Sequence, residues 1–167
     1  MEKVDEVPIL LRREIEARIA GPLIEAFSEK FGRAETVRVA SQVILELAEE
    51  SGAALAQRCG GTSFEHLAEG TKLWSMGDAL ERDVIEQTDT EYNYNITRCK
   101  YAEMYKSLGL EELGFLFSCG RDGKMFGGFN PNIKFTRTQT IMQGAPYCDF
   151  RLALESKPKG DDESGSV

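Results

Sequence analysis

Thiols, carboxylates and one well-placed arginine gather between Cys99 and Asp149. Cys119 and Asp122 are three residues apart, so on a helix they share a face with Phe115. Residues 133–142 alternate, which puts Arg137 on the same strand face as Phe135 and Ile141. A guanidinium on an apolar face needs a partner, because burying an unpaired charge is costly. That partner is either a protein carboxylate, such as Glu16 or Asp122, or the carboxylate of a small ligand gripped by the guanidinium fork. Cys148 shares a face with Phe150, Leu152 and Leu154, while Asp149 and Arg151 point the other way. Its thiol is either buried filler or a nucleophile. An unperturbed thiol, with a pKa near 8.5, is only about 3% thiolate at neutral pH, and a nearby cation such as Arg137 would raise that fraction. Glu16 adds a carboxylate on the face of Ile19 and Ala20, either as the wet end of an apolar stripe or aimed at the same pocket.

Other chemistries have less support. His66 stands alone on a separate helix, and nothing local pairs it with a cysteine. Gly127-Gly128 lacks both G-x-G-x-x-G and G-K-[ST], so it is no phosphate loop. Cys59, Cys99, Cys119 and Cys148 are far apart and form no C-x-x-C. No metal and no cofactor is therefore expected.

These groups must be held by elements that the pattern also predicts. Ile19, Ala20, Leu23, Phe27 and Phe31 mark a first helix over 8–32, with a kink or break expected at Gly21-Pro22. Val37, Ala40, Ile44, Leu47 and Ala48 mark a second over 35–57. A third starts at the N-cap Ser63 and runs to about Met76. The period then changes, and strands near 82–88 and 91–98 form a hairpin, with Tyr92, Tyr94 and Ile96 on one face. Helices follow over 100–107 and 111–122, then a glycine-rich loop from Gly127 to Pro131. A second hairpin, 133–142 and 147–154, turns at Gln143-Gly144-Ala145-Pro146. The fold class predicted is α+β: N-terminal helices packed on one side of a small antiparallel sheet built from two hairpins. One domain is expected over 8–155, with a disordered polar tail over 156–167.

Composition narrows the function classes. The chain has 167 residues, is 41% hydrophobic and carries a net charge of −8, with Lys and Arg scattered among acids. Nucleic-acid binding needs those cations on one face, so it is not expected. No apolar run reaches the roughly 18 residues of a membrane span, so no membrane association is expected either. The opening MEKVDE lacks a signal-peptide layout, so the protein is expected to be cytoplasmic, its thiols free, and Asn95-Ile96-Thr97 unglycosylated. A homo-oligomer stays open.

Several short motifs recur in a familiar order: Cys99-Lys100-Tyr101-Ala102-Glu103, Leu108-Gly109, and Ser118-Cys119-Gly120-Arg121-Asp122. Gly128-Phe129-Asn130-Pro131-Asn132-Ile133, Arg137-Thr138-Gln139-Thr140-Ile141-Met142-Gln143-Gly144 and Cys148-Asp149-Phe150-Arg151 continue it, and Arg13-Glu14-Ile15-Glu16-Ala17 precedes it. Together they resemble the L-2-amino-thiazoline-4-carboxylic acid hydrolase family over about residues 8–154. The resemblance implies a small-molecule substrate and hydrolysis at a cyclic amidine carbon, opening a thiazoline ring to a carbamoyl-cysteine. Against that chemistry the candidate catalytic residues are Cys148, Cys119, Asp122 and Asp149. The candidate substrate-binding residues are Arg137, Thr138, Asn130, Glu16 and Glu103. Either a cysteine attacks the ring carbon, or a carboxylate (Glu16, Glu103 or Asp122) activates water directly. The rival reading is a non-catalytic module that binds a small carboxylate, which needs Arg137 and a pocket but no reactive thiol.

Overall fold

Two long helices begin the chain: α1 over Ile9–Phe31 and α2 over Arg33–Cys59. The computed structural model describes residues 7–155. The tail expected beyond residue 155 and the acidic start of the chain lie outside those residues. A short helix α3, Phe64–Gly70, is N-capped by Ser63, whose hydroxyl accepts from the His66 amide. A 3-10 turn then leads into strands β1 (Leu80–Gln87) and β2 (Glu91–Cys99). Helices α4 (Lys100–Ser107), α5 (Glu111–Phe117) and α6 (Asp122–Phe129) precede β3 (Ile133–Thr136) and β4 (Cys148–Leu154). The sheet is antiparallel throughout, in the order β1-β2-β4-β3.

Alternation along the strands builds the core. Ile96 pairs with Cys148, Tyr94 with Phe150 and Tyr92 with Leu152 across β2 and β4. All six are buried, and they pack against Leu55, Leu67, Phe126 and Phe129 from the helices. The helical side is sealed where α2 meets α6. A Cβ on Gly52 would collide with the Met125 carbonyl, and one on Gly128 with the Glu49 carbonyl. Only glycine at both positions lets these two backbones approach so closely.

Four local expectations are corrected. The first helix runs unbroken through Pro22. Packing of Ala17, Gly21 and Ile24 outweighs the single backbone hydrogen bond that proline removes. Its large apolar residues Ile19, Leu23, Phe27 and Phe31 do not face the core but solvent. The glycine-rich stretch at 127–129 is helical, because α6 needs Gly128 against α2. The strand expected over 133–142 stops at Thr136, and residues 141–143 form a 3-10 turn. Arg137 therefore owes its inward position to the irregular chain after β3, not to strand alternation.

Candidate functional site

A cavity of about 580 Å³ opens between α1, α2, the sheet and the turn joining α5 to α6. Its apolar walls include Leu55, Leu73, Trp74, Phe117 and Phe150. Its polar groups include Arg13, Glu16, Arg121, Asp122 and Arg137, and three thiols reach it: Cys99, Cys119 and Cys148. Each arrives from a different element. Cys119 and Arg121 sit on the 3-10 turn over Cys119–Arg121, and Asp122 is the first residue of α6. Cys148 begins β4, and Cys99 ends β2.

Arg137 and Asp122 form the centre. Arg137 Nη1 donates to Asp122 Oδ2 at 2.5 Å, and Nη2 donates to the Cys119 carbonyl at 2.7 Å. The pair is largely buried, at 8% and 19% side-chain exposure. The guanidinium also lies 5.1 Å from the Phe150 ring centre and 5.5 Å from that of Phe135. Burial pushes the Asp122 carboxyl above its ordinary value, and Arg137, Arg121 and Arg13 pull it down without cancelling the rise. Asp122 is thus a carboxyl that can hold or accept a proton near neutral pH more readily than a surface aspartate can.

The thiols follow the same rule. Burial raises Cys148, whose sulfur accepts from the Ile141 amide at 3.2 Å. Burial also raises Cys119, and it pushes Cys99 up to about 11. Arg137 favours the Cys148 and Cys119 thiolates, but desolvation wins at both. All three are neutral thiols at neutral pH.

Arg121 differs from Arg137. Burial and the neighbouring charge of Arg13 lower its pKa to about 10. Among the described residues its hydrogen bond is a long one, 3.5 Å to Ser51 Oγ, and it makes no ion pair there. Arg13 pairs with Glu16 along α1.

The fold thus brings Glu16, Cys119, Asp122, Arg137 and Cys148 together in one cavity. Four other candidates lie elsewhere. Asp149 accepts hydrogen bonds from the Thr138 hydroxyl (2.7 Å) and from the Thr138 and Gln139 amides (3.0 and 2.9 Å), tying the chain after β3 to β4. Thr138 is engaged in that same knot. Asn130 donates to the Thr62 carbonyl at 3.0 Å and accepts from the Asn132 amide at 2.9 Å. Glu103 accepts from Arg98 at 3.0 Å on the surface. Sequence reasoning missed Arg13, Cys99 and Arg121 as members of the site. Arg121 had a signal, since it lies between Cys119 and Asp122 in one motif. Arg13 lies three residues before Glu16, one helical turn away on the same face. Among the described residues no three His, Cys, Asp or Glu side chains are arranged to hold a metal ion. Nor is any helix there long and apolar enough to cross a membrane.

Residues 12–152 match the sequence profile of the L-2-amino-thiazoline-4-carboxylic acid hydrolase family, a span that includes every cavity-lining residue named above. The chain belongs to that family. No curated protein matches it. Its fold resembles that of the phenol-responsive sensory domain of the transcription activator PoxR, crystallised with phenol. The two superpose with a TM-score of 0.51 at 8% identity, over 81% of this chain and 72% of that one. At that identity the likeness concerns the fold alone.

Proposed function

We propose that this protein is a hydrolase that opens a small carboxylated cyclic amidine, such as 2-aminothiazoline-4-carboxylate, to a carbamoyl-cysteine. One observation carries the reading: a buried carboxyl of raised proton affinity, Asp122, faces a small cavity in a member of this family. Asp122 takes a proton from the attacking group as a carbon–oxygen bond forms at the amidine carbon. It returns that proton to the leaving ring atom as the ring bond breaks. The net change is the addition of one water. Arg121 anchors the substrate carboxylate, since Arg137 already spends its fork on Asp122 and the Cys119 carbonyl.

Two routes share Asp122. In the first it activates water directly. In the second it takes the proton of Cys148 or Cys119, whose sulfur attacks and is later displaced by water. The raised proton affinity of both thiols favours the first, because a neutral thiol lacks the thiolate that would set the second apart. A binding role has one observation in its favour: the fold resembles that of a phenol-responsive sensory domain, and most of this cavity's wall is apolar.

Incubation with 2-aminothiazoline-4-carboxylate, followed by mass spectrometry, tests the reading. Carbamoyl-cysteine should form, and Asp122→Asn should slow turnover by about 10²–10⁴-fold. Parental rates in Cys148→Ser and Cys119→Ser would support direct water attack, and their loss the covalent route. Saturable calorimetric binding with no product would replace the hydrolase by the binding module.

A further inference from the structure

The outward side of α1 carries an uncovered apolar row. Leu11, Ile15, Ile19, Leu23 and Phe27 recur at every fourth position, each 46–62% exposed. The helix's buried residues are small or few: Ala17, Gly21 and Ile24. At about 100° per residue the row is centred opposite those three. Val39, Val43 and Leu47 repeat the same spacing, also exposed, on α2. Single exposed hydrophobics are ordinary, but rows of this length are not.

We propose that this row is a homodimer interface, with a second copy of the chain lying antiparallel across α1 on a twofold axis at Ile19. The spacing fits that symmetry. Ile15 and Leu23 stand equally far from Ile19, and so do Leu11 and Phe27. An antiparallel copy therefore sets Leu11 against Phe27 and Ile15 against Leu23, twice over. The available area is also sufficient. Half-exposed side chains of this size offer on the order of 100 Å² each. An interface that covered both rows would approach the ~800 Å² that each partner gives a standard interface. Two charge pairs beside the row close within their own helix, Arg18 with Glu14 and Arg13 with Glu16.

Sedimentation velocity of the full chain at tens of micromolar should show a dimer. Ile19→Glu should make it monomeric while leaving the far-UV circular dichroism unchanged. A second measurement does not depend on that variant folding. Ile19→Cys, on the axis, should form an intermolecular disulfide on mild oxidation, with the unsubstituted chain as control. Leu11→Cys alone should not, but mixed with Phe27→Cys it should. A monomeric parent, a dimer indifferent to Ile19→Glu, or equal cross-linking through Leu11→Cys alone would overturn the proposal. Binding of a monomeric parent to phosphatidylcholine–phosphatidylglycerol vesicles would also overturn it, in favour of a lipid surface.

Discussion

Arg137→Met tests the electrostatic centre of the cavity most directly. The substitution keeps an unbranched apolar stem and removes the charge that faces Asp122. With charge centres roughly 4 Å apart and an effective dielectric of about 20, the lost attraction is about 4 kcal/mol. That agrees with the ~3–5 kcal/mol typical of removing one member of a buried pair. The loss should depend on pH, and its sign follows from the Asp122 shift. The folded carboxyl has a raised pKa, so its contribution is fully present below the unfolded value and declines as pH rises through the folded one. Arg137 limits that decline, and its removal steepens it. Urea melts of Arg137→Met should therefore show a larger deficit at about pH 7.5 than at about pH 5, since the variant's Asp122 takes up a proton more readily than the parent's as pH falls. Replacing both partners, Arg137→Met with Asp122→Leu, should restore most of the stability, since no charge is left unpaired. A deficit equal at both pH values would refute the reasoning, because loss of the Cys119 carbonyl bond and the ring contacts alone does not vary with pH.

Three further outcomes follow from the same geometry. Iodoacetamide should alkylate Cys148, Cys119 and Cys99 more slowly than a free thiol at neutral pH, with rates that climb as pH rises, because burial raises all three; fast labelling of Cys148 would contradict this. Arg121→Gln should raise KM for the carboxylated substrate with little change in kcat, and an unchanged KM would remove Arg121 from the anchoring role. Asp149→Ala should cost about 0.5–1.5 kcal/mol by removing the acceptor shared by the Thr138 and Gln139 donors. Partial burial opposes ionisation of Asp149, but those hydrogen bonds outweigh it and hold its carboxyl below the ordinary value. The stability it adds is present above the unfolded pKa and lost as pH falls through the folded one. The deficit in chemical denaturation should therefore shrink toward about pH 3.

The element order was legible because the apolar period changes from helical to alternating near Asp83 and again after Asn130. Periodicity could not say which side of α1 meets the core. Ile19, Leu23 and Phe27 form the stronger stripe, yet small residues face inward, where Gly21 receives the Leu110 side chain. Glycine pairs were ambiguous for a similar reason. Gly127-Gly128 reads as a loop until α2 is placed against it. Alternation already turned Asp149 away from Cys148, and the structure keeps it there, bound to Thr138. The place of Cys99 in the cavity was hidden because convergence of the end of β2 on the turn before α6 is a tertiary fact with no local period.

The cavity and the glycine contact belong to one construction. Gly52 and Gly128 fix α6 on α2 at backbone distance, and α6 begins at Asp122. That contact sets where the carboxyl stands relative to Ser51 and Leu55 on the cavity wall. Arg137 then fixes its orientation from the opposite side. A pair of apolar residues should recover most of the stability that this ion pair gives such a position. The pair keeps an ionisable, poorly hydrated carboxyl at the edge of a space large enough for a small ring, which is what the proposed reaction requires. A carboxyl so held gains proton affinity from burial and loses some to Arg137. In the proposed reaction the balance between burial and the three arginines, Arg137 foremost, governs how readily Asp122 takes and returns a proton.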